Sequence, residues 1–182
     1  SGMTDSKLPD GQAGAEKALN HALVGNAGAN MIYESAGMHA SLLGFSLESL
    51  VIDNDIIGAT QRTIKGIEVN DERLSFETIK DVCLNGPGHF LGSDQTLQLM
   101  QTEYLYPGVG DRKSPNEWNE QGALDVAQRA MAKVEEILGH HFPSHVAEAV
   151  DAEIRRRFPV KLDRAHMLPP ADSAAARRVG SR

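Results

Sequence analysis

The chain has 182 residues, 41% of them hydrophobic and 5% aromatic, with 25 acidic against 18 basic side chains and a formal net charge of −7. That is long enough for one ordinary domain with an apolar core, while the acidic balance argues against a nucleic-acid partner, because phosphate binding needs concentrated Lys and Arg. The sole cysteine, Cys83, rules out an internal disulfide and fits a reducing cytoplasm; no apolar run approaches a membrane span, and no charged-then-apolar leader opens the sequence.

Residues 1–7 are polar and lead directly into Pro9-Asp10-Gly11, which reads as a start in the middle of a longer protein. Residues 12–24 place Ala13, Ala15, Ala18, Leu19, Ala22, Leu23 and Val24 at helical spacing, with Asp10 as N-cap and Gly25 as stop. Ala29–Tyr33 reads as a short buried parallel strand, followed by the loop Glu34–Ser41. The next helix opens at Ser46 and runs to Gly66, with Leu47, Leu50, Val51, Ile57 and Ile64 as an inward stripe. Ser75 is the expected N-cap of a helix over 76–84, stapled by Leu74 and Ile79. A helix over 95–105 ends at Pro107-Gly108. Ser114-Pro115-Asn116-Glu117 joins a capping box to a proline at the first helical position, opening a helix expected to reach Leu138 and close at Gly139. A last helix spans 144–157, before Pro159. The pattern predicts a predominantly helical α/β domain over 1–160 and a disordered tail over 161–182.

Several side chains could carry chemistry. His89 sits among Gly86, Gly88 and Gly92, a setting that shapes a loop sharply and suits a ligand-facing imidazole able to carry a proton near neutral pH; a structural role, capping the helix that starts near Ser93 or bracing the loop, stays open. Glu34 and His39 follow the expected strand, and in parallel α/β architectures ligands gather at strand C-terminal ends; a solvated loop is the alternative for each. Asp53 and Asp55 flank Asn54 like half a calcium loop, but neither the glycine nor the distal glutamate stands at the required spacing. Glu68, Asn70, Asp71 and Glu72 read as a solvated, helix-capping turn. His140, His141 and His145 have no partner spacing for a metal and read as a surface cluster. Cys83 reads as a small buried side chain, the apolar positions between Phe90 and Tyr106 as core, and Trp118 as packing its helix against the body. No Gly-rich nucleotide motif and no G-x-S-x-G occurs.

The stretches Met3–Lys7, Ala29–Phe45, Val51-Ile52-Asp53-Asn54, Gly66–Asp71 and Gly88-His89-Phe90-Leu91-Gly92, with Asn116-Glu117-Trp118 downstream, resemble the C-terminal part of the trimethylamine methyltransferase family. The resemblance implies the C-terminal part of a TIM-type (β/α)8 barrel, whose complete form takes about 250 residues. It implies transfer of a methyl group from a methylated amine to the cobalt of a corrinoid protein, with His89 catalytic and Glu34, His39 and Phe90 contacting substrate. It implies no directly bound cofactor and no metal ligand in this chain, the cobalamin being carried by the corrinoid partner, in a cytoplasmic setting. A quaternary amine leaves as a neutral tertiary amine, whereas less substituted amines need activation. Archaeal trimethylamine members use pyrrolysine for that, and none stands in this sequence, so a betaine is the expected substrate type. A shorter-than-barrel chain is expected to be inactive alone and to self-associate as a homo-oligomer. The alternative is a noncatalytic helical fragment or interaction module derived from the same barrel.

Overall fold

The computed structural model describes residues 1–142 and 145–169, which group into two compact units, Ser1–Ala130 and the residues from Met131 onward. In the first unit, α1 (Gly11–Asn26) opens at Asp10, whose carboxylate accepts the Ala13 N–H and the Ser6 hydroxyl, both at 2.9 Å. The backbone bond from Ala13 holds that carboxyl below its ordinary range. The buried residues of α1 are Ala13, Lys17, His21 and Gly25, spaced four apart on one face, while Leu19, Leu23 and Val24 are exposed. The helix does not stop at Gly25. A Cβ there would lie 2.6 Å from Ile64 Cδ1, so this glycine permits close approach of two helices and the turn comes at Ala27.

The facing helix, α2 (Leu47–Lys65), starts and ends as predicted: Ser46 accepts the Ser49 N–H at 3.0 Å, and Gly66 closes it at φ 69°. Its inward face is another matter. Ser49, Asp53 and Thr60 are buried, whereas Leu47, Leu50 and Ile64 of the expected apolar stripe are 43, 40 and 48% exposed. The two helices meet through a Lys17–Asp53 ion pair, and that contact turns the polar faces inward and the leucines out.

Ala29–Tyr33 is not a strand. Its backbone has a single link to the N-terminal segment, Gly2 N–H to Tyr33 O at 3.3 Å, and one such bond does not make a ladder. The strands of the described residues are β1 (Met38–His39) and β2 (Gly44–Phe45), antiparallel and joined through Ala40, Ser41 and Leu42, all at positive φ. The architecture is therefore predominantly helical.

Beyond α2, Asn70 caps α3 (Asp71–Leu74) by accepting the Arg73 N–H at 2.8 Å and donates to Glu68, so the acidic stretch is a capped turn, as predicted. α4 (Phe76–Leu84) has the expected bounds without the expected cap: Ser75 is left-handed at φ 56°, and its hydroxyl donates back to the Glu72 and Arg73 carbonyls. Leu74 and Ile79 stay exposed, so no staple forms. Cys83 is exposed rather than buried, because α4 turns only Val82 inward. α5 (Asp94–Thr102) begins at the cap Ser93 and stops short of Leu105, where Glu103 is gathered in by Arg62, Lys65 and Arg73. Phe90, Leu91, Leu97, Tyr104, Leu105 and Tyr106 are exposed, not core.

The capping box at Ser114 forms as read, but α6 (Pro115–Glu120) is short. Gly122 and Ala123 take positive φ, and the Trp118 indole donates to Leu124 O at 3.0 Å, folding the chain back before α7 (Val126–His140) begins. Asp125 and Gln128 cap that second helix reciprocally. The Asp55 carboxylate receives the N–H groups of Gly108, Val109 and Gly110 at 2.8, 2.9 and 3.0 Å; burial pushes its pKa up, and these donors outweigh it, leaving the group below its ordinary value. No Leu, Ile or Phe of the first unit is buried; its buried apolar side chains are Ala13, Val82, Val109 and Ala130, so the sizeable core that length and composition allow is not formed.

In the second unit, α8 (Glu148–Arg157) begins four residues later than expected, Ser144 lying outside the described residues. Asp151 receives Arg155 and Arg164, and Arg164–Met167, within the expected tail, forms a 3-10 turn. The tail from Pro170 lies outside the described residues. No helix among the described residues is long and apolar enough to cross a membrane.

Gly37 is, with Gly2, one of the two tightest glycine positions of the first unit, and of these two it is the one at positive φ. Its φ is 80°, its N–H donates to Asp53, its carbonyl accepts from Ser46 N–H, and an added Cβ would run into the Phe45 ring. Gly37→Ala should lower stability by about 2 kcal/mol in chemical denaturation, since strain and clash add; a midpoint unchanged from the parent would contradict this geometry.

Candidate functional site

The polar seam between α1 and α2 is the most highly organised part of the molecule. Lys17 Nζ lies 2.5 Å from Asp53 Oδ2, the two side chains being 1 and 3% exposed. The same oxygen accepts the Gly37 N–H at 2.7 Å, tying the end of the loop 34–37 to α2. Two residues on, His39 is buried with both ring nitrogens engaged: Nδ1 is 3.0 Å from Ser6 O and Nε2 is 2.5 Å from Ser49 Oγ. Thr4 donates to Glu16 at 2.6 Å and accepts the Ser6 N–H, and Ala40 N–H returns to Ser6 O. The segment 1–6, the loop 34–41 and both helices are thus joined by polar atoms, in a place where an unpaired charge or donor would be costly.

Within that frame Glu34 stands out. It takes a left-handed backbone at φ 56°, and its Oε2 is buried with no hydrogen-bond partner among the described residues. A strained residue with an orphaned carboxylate oxygen is a feature that folding alone does not favour. His39, by contrast, is a brace under the loop, its ring wholly taken up by Ser6 and Ser49.

His89 and Phe90 lie on the second loop, between α4 and α5, and both are exposed. Of the flanking glycines only Gly88 uses positive φ, at 74°, donating its N–H to Val82 O. His89 lines a shallow cleft of about 530 Å³ with Glu77, Asp81, Ser93 and Asp94. Ser93, rather than the imidazole, caps α5. Phe90, Glu34 and His39 do not line this cleft, and no described hydrogen bond joins the two loops, so the structure sets the four candidates on two separate loops. His140, His141 and His145 are exposed, and no group of three or more potential ligands among the described residues is placed to hold a metal.

The sequence reading missed Lys17, His21 and Ser49, and weighed Asp53 only as a calcium ligand. One signal was present: Ala13, Lys17, His21 and Gly25 recur every four residues in a helix whose leucines fall elsewhere.

His21 is 2% exposed, and its ring nitrogens lie beside the Lys17 and Ser35 backbone without a well-aligned hydrogen bond among the described residues. Burial pushes its pKa below the ordinary histidine value, against a smaller opposing pull from Asp53. The folded chain therefore keeps His21 neutral while the unfolded chain protonates it below about pH 6.5. Its contribution to stability is present above that pH and is lost as pH falls through it, before most carboxylates titrate. Thermal unfolding should show a drop between pH 7.5 and 5.5, chosen as about one unit either side of the free histidine value, that His21→Phe diminishes; an equal drop in both proteins would contradict the buried neutral ring.

The chain matches the family model described as trimethylamine methyltransferase (MTTB) over residues 1–162. It is 39% identical to trimethylamine methyltransferase MttB1 of Methanosarcina acetivorans over 165 residues, which is 89% of this chain and 31% of that protein. It is 35% identical to MttB of Desulfitobacterium hafniense, over 85% of this chain and 30% of the relative, and 29% identical to a glycine betaine methyltransferase of the same species, over 85% and 32%. The chain thus spans about a third of the length of the curated relatives it matches. With the family model covering nearly the whole described sequence, the chain belongs to the trimethylamine methyltransferase family.

Proposed function

We propose that this chain forms part of a methyltransferase that moves a methyl group from a methylated amine to the cobalt of a corrinoid protein. The observation that carries the reading is the family match over residues 1–162, with relatives named for trimethylamine and for glycine betaine. In this reading the chain supplies the C-terminal part of a (β/α)8 barrel, cobalamin arrives on the corrinoid partner as methyl acceptor, and no cofactor is held by the chain itself. A quaternary amine such as a betaine is the proposed methyl donor, because it can leave as a neutral tertiary amine.

The chain's own residues take distinct parts. Glu34, with one carboxylate oxygen buried and unpartnered among the described residues, supplies negative charge toward an ammonium head group, and its strained backbone fixes the direction of that oxygen. His39 holds the Glu34 loop in place through Ser6 and Ser49. His89, exposed in a cleft with three carboxylates, orients substrate or carries a proton at the imidazole, and Phe90 offers an aromatic face to methyl groups. The exposed apolar side chains of α1 and α2 support self-association of the chain as a homo-oligomer.

In the protein that carries this chain, assayed with corrinoid protein and glycine betaine or trimethylamine, His89→Ala should lower methyl transfer at least about tenfold. His140→Ala, on an exposed helix end, should leave it unchanged. Greater loss from the His140 change at equal stability would move the site away from the 86–93 loop, and absence of transfer from either amine would remove the reading itself.

A further inference from the structure

Asn85 caps the end of α4, and Gly86 opens the loop that carries His89. No other asparagine of the chain precedes a glycine. Asn85 is the last residue tied to the helix, its N–H donating to Asp81 O at 2.9 Å and its side-chain amide to Asp81 Oδ1 at 3.2 Å. Gly86 lies outside the helix, and both residues are exposed. Among the described residues the Gly86 N–H makes no hydrogen bond, and the next backbone tie is Gly88 N–H to Val82 O at 3.2 Å. With no side chain on Gly86, nothing of its own shields that nitrogen from the neighbouring amide carbon.

We propose that Asn85 is a site of spontaneous covalent modification, deamidation through a cyclic imide. The Gly86 nitrogen, giving its proton to solvent base, bonds to Asn85 Cγ, and the Cγ–Nδ2 bond breaks with release of ammonia. Water then opens the five-membered ring. Cleavage between Cγ and the ring nitrogen leaves an aspartate at position 85; cleavage between the main-chain carbonyl carbon and that nitrogen leaves an isoaspartate, the chain now running through Cβ and Cγ. In sum one water is consumed and one ammonia released, with no change of oxidation state. Ring closure turns Asn85 away from its ψ of −17°. That rotation moves Gly86 and keeps the Asn85 N–H bond to Asp81, so among the described backbone bonds only the one from Gly88 opposes it. The chain's Asp-Gly pair, Asp10-Gly11, is open to the same ring chemistry and is locked instead: the Asp10 carboxylate holds the Ala13 N–H and the Ser6 hydroxyl, and Gly11 belongs to α1. Either product at position 85 puts a carboxylate where the amide donated to Asp81, four residues away at the C-terminal end of α4, where like charge and the helix dipole both act against it. The last turn of α4 loosens, and with it the entry to the His89 loop. The site is independent of the methyl-transfer reading.

The full 182-residue chain, its Asn85→Gln variant and a synthetic peptide of residues 80–90 are incubated at mildly alkaline and at mildly acidic pH, then mapped by peptide mass spectrometry with isoaspartate detection. Conversion should appear at Asn85 ahead of every other asparagine, faster at the higher pH and with isoaspartate as the larger product, while Asp10 stays intact. It should vanish from position 85 in Asn85→Gln, whose longer side chain would have to close a six-membered ring. The folded chain should keep at least about a tenth of the peptide's rate, the worth of one net hydrogen bond. In Asn85→Asp, hydrogen exchange of the position 85 amide should quicken by about two- to tenfold. Conversion at another asparagine first, or a chain rate more than about tenfold below the peptide's, would overturn the site; unchanged exchange in Asn85→Asp would overturn the loosening of α4.

Discussion

The ion pair between Lys17 and Asp53 is the contact on which the first unit depends. Each charge has lost nearly all its water, which costs several kcal/mol per ion, and the attraction at 2.5 Å together with a second hydrogen bond to the carboxylate offsets this. Asp53 Oδ2 takes the Gly37 N–H as well, and Gly37 in turn accepts from Ser46, the residue that caps α2. One carboxylate thus sets the crossing of two helices, the exit of the Glu34 loop and the start of the β1–β2 turn. An apolar pair could stabilise the same seam as well, so the ionic one is best understood as specifying position.

With the polar faces of α1 and α2 turned together, the leucines of both helices point outward, while Ile52, Ile56 and Ile57 stay half-buried. Leu19, Leu23, Leu47 and Leu50 are exposed as a consequence of where Lys17 and Asp53 sit, not of weak patterning. Each Å² of such surface left in water forgoes about 25 cal/mol, so burial of these side chains against another surface would add stability. The short reach of the chain along its relatives, about a third of their length, agrees with such burial. The Ala29–Tyr33 segment tells the same story at the level of the backbone: with a bend at Asn30 and a turn at Tyr33, it has one hydrogen bond to residues 1–6 where a sheet would supply a row.

Local signals in the sequence were legible because they act over three or four residues. Asp10, Ser46 and Ser114 cap helices as their spacing implies, and Asn70 turns an acidic run into a capped turn. Signals that depend on distant partners were not. Gly25 looks like a stop until Ile64, far along the chain, is known to press on it, and the helix from Ser114 looks continuous until Trp118 bonds Leu124 across Gly122. For the candidate site, the 86–92 loop was singled out by its glycines, of which only Gly88 takes positive φ, and Glu34 by its place after a strand that does not form, so its strained backbone and orphaned oxygen were not foreseen. The pairing beneath it was not visible, because Lys17 and Asp53 stand 36 positions apart and charged side chains are read by default as solvated.

A double-mutant cycle on Lys17→Met and Asp53→Asn, read by denaturant unfolding, tests the central claim most directly. Asparagine keeps an acceptor oxygen for the Gly37 N–H, so the cycle isolates the ionic contact. Each single change should cost about 3–5 kcal/mol by leaving one buried charge unpaired, and the double variant should recover much of it, with a coupling of about 2 kcal/mol or more. Single changes that each cost under about 0.5 kcal/mol and simply add would place both groups in solvent, and the polar seam would not be what orders this unit.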